Sequence, residues 1–384
     1  MNLQHAAVNR LLILLPLACA AFLSEGAQEA AVLEVMRVPE AGLQPQVVTD
    51  GATVHLIYFK GDPKAGDLFY ARSADGGKTF GPVARVNSQE GSAVATGTIR
   101  GGQIALGRNG RVHVAWNGSG KAEPRVNGSS PMLYTRSKPD GAFEPQRNLM
   151  TAGFDLDGGG SVAADSQGRV FVAWHAGPIQ KDGEGRRRVW LARSSNDGAS
   201  FSPETVVWTE PTGACSCCQL KPWAQAGRVR LLYRSCSTIE DRDTFLLASD
   251  DAGLSFRGAK VHPWKISACP MASYAFSSDG AWAAWESHRQ IYWAPVDAAG
   301  KAGAIQPAPG HGHNRKHPVL AVNARGDVLL AWTEETAWAR GGKVKWQLCD
   351  KAWRPLAAGE RDGLPAWSMA AVFARPDGGF GLVY

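Results

Sequence analysis

VHLIY (residues 54–58) is a short apolar segment that ends in an aromatic residue, and segments of the same kind recur along the chain. The other six are VHVAW (112–116), VFVAW (170–174), VRLLY (229–233), AWAAW (281–285), VLLAW (328–332) and FGLVY (380–384). Another apolar run precedes each segment and a third follows most of them, so each period contains three or four predicted strands. The terminal aromatic residues are 47–59 residues apart, and periods of this size and content are typical of the blades of a β-propeller.

The repeats therefore predict an all-β fold with one propeller domain over residues 28–384. Seven blades are favoured because seven segments recur, and six blades are the alternative. The last repeat, residues 369–384, supplies only two strands, and AVLEVMRV (31–38) can supply one more. We expect the N- and C-terminal strands to lie in one sheet and to close the ring, because closure removes a free sheet edge.

The composition is that of a folded globular protein. Of the 384 residues, 44% are hydrophobic and 20% are charged, which argues against disorder. The net charge of +6 is spread along the chain without a run of five like charges. The sequence therefore predicts no nucleic-acid partner, and we expect a monomer.

Residues 1–27 are predicted to be a signal peptide. Arg10 supplies a positive charge, and the apolar stretch LLILLPLACAAF (11–22) is followed by small residues. The stretch is too short for a transmembrane helix, and no later segment is apolar enough to span a bilayer. We expect a periplasmic or secreted protein. Lipid attachment at Cys19 is the alternative, which Pro16 disfavours.

A second recurring element follows the third predicted strand of several repeats. SADGGKTF (73–80) and SDDAGLSF (249–256) share the pattern Ser-x-Asp-x-Gly-x-(Ser/Thr)-Phe, and SSNDGASF (194–201) keeps the spacing with Asn196 in place of Asp. In such a turn the side chain accepts backbone N–H bonds, and the glycine supplies a positive φ. These segments resemble the Asp-boxes of the bacterial neuraminidase repeat family, found in sialidases and other exported propellers. The resemblance implies that each element is a structural turn on the face opposite the active site.

The propeller geometry predicts which distant residues meet. The starts of the first strands and the ends of the second strands surround one opening, here called the mouth, where propellers bind ligands. The ligand-binding candidates that the repeats place at this opening are Arg100, His175, Arg234, Arg315 and His317. Asp62 and Asp243 are the candidates for proton transfer in catalysis. Because arginine pairs with carboxylates, we expect a small anionic ligand, and the resemblance implies that this ligand is a carbohydrate.

The resemblance to sialidases, which have six blades, implies further residues. In that family three arginines hold a substrate carboxylate, and a Tyr–Glu pair and an Asp carry out catalysis. Met36-Arg37-Val38-Pro39 partly matches the motif of the first arginine, whereas no late segment matches that of the tyrosine. The pattern is incomplete, so two functions stay open: glycoside hydrolysis at the mouth, or ligand binding by a non-catalytic periplasmic scaffold.

Five cysteines are predicted to lie near one sector of the mouth. Cys215, Cys217 and Cys218 precede the first strand of one blade, Cys236 follows its second strand, and Cys269 precedes the next blade. In an exported protein this arrangement favours two disulfides between adjacent blades. One alternative is a thiolate metal site, although C-x-C-C lacks the C-x-x-C spacing of zinc sites. The other is a nucleophilic thiol, for which the sequence fixes no base. No other cofactor is predicted.

Overall fold

Each of the seven aromatic-tipped segments forms the second strand of a separate sheet. In the computed structural model, which describes residues 32–180 and 183–384, seven sheets surround a common axis, and the first strand of each contacts the first strand of the next. The protein is a seven-bladed propeller. The all-β, seven-bladed prediction is confirmed, and the six-bladed alternative is wrong.

Each of the first six blades is a four-stranded antiparallel sheet. β1 (Leu33–Met36) belongs to the last blade. Blade 1 contains β2 (Leu43–Asp50), β3 (Thr53–Lys60), β4 (Asp67–Ser73) and β5 (Ala84–Arg85). Blade 2 contains β6 (Gln103–Leu106), β7 (Val112–Asn117), β8 (Met132–Arg136) and β9 (Arg147–Asn148). Blade 3 contains β10 (Ser161–Ala164), β11 (Val170–Ala176), β12 (Arg188–Ser194) and β13 (Thr205–Val206).

The remaining blades follow in chain order. Blade 4 contains β14 (Lys221–Gln225), β15 (Arg228–Arg234), β16 (Thr244–Ser249) and β17 (Arg257–His262). Blade 5 contains β18 (Tyr274–Phe276), β19 (Trp282–Ser287), β20 (Gln290–Pro295) and β21 (Gln306–Pro307). Blade 6 contains β22 (Lys316–Val322), β23 (Val328–Glu334), β24 (Gly342–Cys349) and β25 (Pro355–Leu364). Blade 7 contains β26 (Ala371–Ala374), β27 (Phe380–Val383) and β1.

Helical structure is confined to three short 3-10 turns in the described part of the chain. They are Pro39–Ala41, Arg108–Gly110 and Glu184–Arg186. None of these is long and apolar enough to cross a membrane. The predicted signal peptide and Cys19 lie outside the described residues.

Blade 7 combines strands from the two ends of the propeller. β27 pairs antiparallel with β26 and parallel with β1, in a register that runs from Leu33↔Phe380 to Met36↔Val383. The Tyr384 N–H donates to the Met36 carbonyl at 3.1 Å. The N-terminal strand thus completes the sheet, and the predicted ring closure is confirmed.

The second strands are apolar on both faces because neighbouring blades cover each sheet from both sides. Trp116, Trp174 and Trp285, the terminal aromatic residues of blades 2, 3 and 5, are fully buried. Trp174 packs with Met132 and Tyr134 of blade 2 in a cluster that joins the two blades. Clusters of this kind between adjacent blades hold the ring together.

The turns between third and fourth strands lie on the face opposite the mouth. In blade 1, Ser73 Oγ donates to Asp75 Oδ1 at 2.6 Å, and the Thr79 N–H donates to the same oxygen at 2.9 Å. These hydrogen bonds hold the pKa of Asp75 well below its usual range. Asp251 in blade 4 makes the same bonds to Ser249 and Ser255. Both carboxylates are therefore engaged within their own turns.

Candidate functional site

A cavity of about 220 Å³ opens at the mouth between loops of blades 5, 6 and 7. Two indole rings, Trp338 and Trp367, stand at its wall with ring centroids 6.4 Å apart in an edge-to-face arrangement. Lys316 and Arg340 add positive charge to the same lining. The cavity therefore combines flat apolar surfaces with cationic groups.

Trp338 lies at the tip of a tight hairpin between β23 and β24. Ala337 and Arg340 exchange backbone hydrogen bonds of 3.2 and 3.1 Å, which close the turn, and the indole is 64% exposed. The same ring also lines a second cavity of about 260 Å³ together with Arg100 and Asp157. The hairpin thus extends over the mouth and separates two cavities.

His317 lines the 220 Å³ cavity, as expected for a ligand-binding candidate, but its ring is buried. Its Nδ1 lies 3.2 Å from Ser273 Oγ. Burial, and secondly the charge of Lys316, lower the pKa of His317 to about 3. The imidazole is therefore neutral at physiological pH, and it can donate or accept a hydrogen bond but does not supply charge.

Arg234 and Arg315 are not positioned to clamp a ligand, which corrects the prediction made for them. Arg234 is 1% exposed, donates to the carbonyls of Arg242 and Glu286, and lies 4.7 Å from the Trp264 ring. Arg315 is equally buried, and its Nε donates to Glu334 Oε1 at 2.8 Å. Both guanidinium groups bind the protein itself because second-strand ends and adjacent loops enclose them.

Arg100 does reach the mouth, where it lines the 260 Å³ cavity. Its Nη2 pairs with Asp157 Oδ1 at 2.6 Å, and its Nη1 donates to the Thr96 carbonyl at 2.9 Å. His175 lies beneath the surface, and its Nε2 donates to the Cys218 carbonyl at 2.7 Å. His175 therefore supports the cysteine loop and does not face the cavity.

The structure separates the two acid candidates. Asp62 is exposed, accepts the Lys64 N–H at 3.0 Å, and lines a cleft of its own with Glu90. Asp243 is buried, accepts the Trp264 N–H at 2.9 Å and pairs with Lys260 Nζ at 2.6 Å. Neither carboxylate lines the two cavities beside Trp338. The positions of Asp62 and Asp243 therefore do not support a shared catalytic role.

The five mouth cysteines do come together. Cys217 and Cys269 form a disulfide with a Cα–Cα distance of 6.3 Å, which joins the loops that precede blades 4 and 5. Cys215, Cys218 and Cys236 are buried thiols beside it. Among the described residues only this one disulfide is formed, so the expectation of two is corrected. The Cys215 and Cys218 sulfurs lie 3.3 Å apart as a hydrogen-bonded thiol pair.

Sequence reasoning missed Trp338, Arg340 and Met271. The hairpin residues Trp338 and Arg340 were missed because the repeat pattern marks strand ends and not hairpin tips. A usable signal was present, since a tryptophan inside the polar, Gly-rich segment ETAWARGG (335–342) has no strand to bury it.

Buried histidines make stability pH-dependent. Burial, and secondly the charge of Arg187, lower the pKa of His175 to about 4, and that of His317 is about 3. Below pH 6.5 the unfolded chain binds protons that the folded chain excludes, so stability falls as pH decreases, by up to about 1.4 kcal/mol per pH unit for each histidine. We expect urea unfolding between pH 7 and 5 to show this decline, with a shallower slope in the double variant His175→Asn/His317→Asn. Equal slopes would contradict the assignment.

No family model and no curated protein matches the sequence. Solved structures share the fold. A Hadza microbial sialidase superimposes with a TM-score of 0.53 at 14% identity, covering 82% of this chain and 67% of that one. A sialidase from Trypanosoma rangeli gives 0.52 at 13% identity, covering 79% and 54%. An α-L-arabinofuranosidase from Fusarium graminearum gives 0.50 at 10% identity, covering 84% and 98%. At these identities the similarity concerns the fold alone.

Proposed function

We propose that this chain is an exported propeller that binds an acidic carbohydrate at its mouth without cleaving it. The observation that carries the proposal is the cavity in which Trp338 and Trp367 stand beside Lys316 and Arg340. Aromatic faces bind the apolar faces of sugar rings, and a guanidinium pairs with a carboxylate through two parallel hydrogen bonds. Arg340 is exposed, and its Nη2 donates to the Glu335 carbonyl at 3.0 Å.

Binding is favoured over hydrolysis by the placement of the carboxylates. Most glycoside hydrolysis requires two carboxyl groups that flank the scissile bond, and the sialidase mechanism, with its tyrosine nucleophile, still uses a glutamate and an aspartate at the substrate. The described residues that line the 220 Å³ cavity include neither Asp nor Glu. Asp157 lines the neighbouring cavity but is paired with Arg100. Glu286 is buried behind Lys316, and burial raises its pKa. A single buried carboxyl group does not provide an acid and a base on opposite sides of a substrate.

The proposal includes export and an Asp-box ancestry. Residues 1–27 act as a signal peptide, and the mature protein resides in the periplasm or outside the cell. The Ser–Asp hydrogen bonds of the turns at Asp75 and Asp251 support their identification as Asp-boxes. An exported location is consistent with a ligand of extracellular origin.

The test is to titrate the protein with neutral and with acidic oligosaccharides and to measure binding by calorimetry. We expect an acidic oligosaccharide to bind, and Trp338→Ala to weaken binding about 10- to 100-fold, because loss of a buried aromatic contact costs about 1–3 kcal/mol. Arg340→Ala is expected to weaken binding of the acidic compound and leave that of its neutral analogue unchanged. Arg354→Ala and Leu254→Ala, exposed on the opposite face, are the matched controls.

Three results would count against the proposal. Unchanged affinity in Trp338→Ala would place the ligand elsewhere. Release of a shortened sugar by the wild-type protein would establish hydrolysis instead of binding. Failure of every compound in the panel to bind would remove the carbohydrate assignment.

A further inference from the structure

Three cysteine sulfurs meet in the buried loop before blade 4. Cys215 Sγ lies 3.5 Å from Cys217 Sγ and 3.3 Å from Cys218 Sγ, and all three lie within 4.8 Å of one another. A metal ion bound at about 2.3 Å from each sulfur requires sulfurs roughly 3.8–4.0 Å apart. Small rotations about the Cα–Cβ bonds supply the difference. The loop therefore presents three ligand atoms to one point.

The loop is held by hydrogen bonds that leave the sulfurs in place. The Cys215 N–H donates to the Arg234 carbonyl at 2.9 Å, and the Cys218 carbonyl accepts from His175. The Ala272 N–H points to Cys218 Sγ at 3.4 Å. A backbone N–H that faces a sulfur stabilises its thiolate form.

Charged side chains of both signs lie beside the sulfurs. Arg242 Nη1 donates to Cys236 Sγ at 2.7 Å, and its Nη2 pairs with Glu184 Oε2 at 2.9 Å. Arg234 is 1% exposed and acts electrostatically on Cys218. Arg234 is therefore the buried guanidinium that can balance the negative charge of a metal–thiolate complex.

An unpartnered buried hydroxyl interacts with the cluster. Within the described part of the chain, the buried Tyr274 hydroxyl has no hydrogen-bond partner, whereas the buried Glu286 Oε2 pairs with Lys316 Nζ at 3.7 Å. Both groups interact electrostatically with Cys218. Buried polar atoms without partners mark places where an ion or a water completes the interactions.

Two sulfur-containing residues connect the lining of the mouth cavity with the cysteine cluster. Cys269 and Met271 line the 220 Å³ mouth cavity, and Met271 also packs against the cysteine cluster. Thiolates and thioethers together select Cu(I), whereas zinc sites use cysteine, histidine and carboxylates. A methionine packed against the cluster thus favours the monovalent ion.

From this arrangement we infer that Cys215, Cys217 and Cys218 form a binding site for one Cu(I) ion, separate from the proposed carbohydrate function. The site is complete when the Cys217–Cys269 disulfide is reduced. An external dithiol supplies two electrons and two protons: the S–S bond breaks, Cys217 and Cys269 become thiols, and the dithiol becomes a disulfide. The ion then displaces the protons of the three ligand thiols.

The experiment is an anaerobic titration with Cu(I) against a chromogenic chelator. We expect full-length protein, reduced with a dithiol and desalted, to bind one ion per chain, and untreated protein to bind at least 100-fold more weakly. Cys215→Ser and Cys218→Ser should each weaken binding at least 100-fold. Cys349→Ser, at the end of β24 on the opposite face, is the control and should change affinity less than twofold.

Cys269→Ser gives the sharpest result, because it leaves Cys217 as a thiol without any reductant. This variant is expected to bind Cu(I) tightly when untreated. Circular dichroism checks that each variant is folded, and copper K-edge absorption should show sulfur ligands. Tighter binding of Zn²⁺ than of Cu(I), undiminished binding by folded Cys215→Ser, or no binding by reduced wild type would each overturn the inference. Carbohydrate titrations on the same samples report on the proposed function separately.

Discussion

Replacing Glu334 with alanine is expected to destabilise the propeller by about 3–5 kcal/mol, because it leaves a buried arginine without its counter-charge. Arg315 is 1% exposed, and its Nε donates to Glu334 Oε1 at 2.8 Å. The same carboxylate accepts the Trp332 indole N–H at 2.9 Å and pairs with Lys345 Nζ at 3.1 Å. The free energy of unfolding in urea measures the effect.

Glu335→Ala is the matched control, since the adjacent carboxylate is exposed and pairs with Lys343 Nζ at 3.2 Å. Surface ion pairs contribute about 0–1 kcal/mol, so this variant should unfold close to the wild-type midpoint. If both variants lose stability equally, Glu334 is not a buried partner. Arg315 would then be available to a ligand, as the sequence alone suggested.

Trp174→Ala should cost about 3–5 kcal/mol, because it empties an indole-sized volume between two blades. Trp174 is completely buried against Met132, Tyr134 and Trp190. Thermal and urea unfolding should both show a lower midpoint, whereas ligand affinity at temperatures where the variant is folded should be unchanged.

Trp338→Ala provides the opposite pattern. The exposed indole adds little to the core, so its removal should change the free energy of unfolding by less than about 0.5 kcal/mol while it weakens ligand binding. Equal losses of stability in the two tryptophan variants would contradict the division between core and mouth.

The fold was predictable because its signal is local and repeated. Strands such as 54–58 and 170–174 are apolar on both faces, as a sheet covered on both sides requires. The presence of β1 in one sheet with β27 was expected from the missing third strand of the last repeat, whereas the parallel direction of that pairing was not predicted. The convergence of Cys215 and Cys269 was predictable for the same reason, because adjacent blades place equivalent loops side by side.

The roles of the mouth residues were less predictable, because they depend on contacts between blades. Arg234 is the last residue of a second strand, where a ligand-facing residue was expected, but its guanidinium donates to the carbonyl of Glu286 in the next blade. The Asp243 carboxylate likewise forms a salt bridge with Lys260 on the neighbouring strand. Trp338 reaches the mouth on the hairpin between β23 and β24. The repeat pattern of the sequence does not predict the direction of that hairpin. Sequence position identified the loops, whereas burial decided which side chains are available.

The central claim, that ligand binds in the cavity between Trp338 and Trp367, is tested most directly by a crystal structure of the protein with the tightest-binding acidic oligosaccharide. The account predicts a sugar ring packed on the Trp338 or Trp367 indole, with its carboxylate within hydrogen-bonding distance of Arg340 or Lys316. Sugar density on the outer blade surface or on the face that carries Asp75 and Asp251 would contradict it.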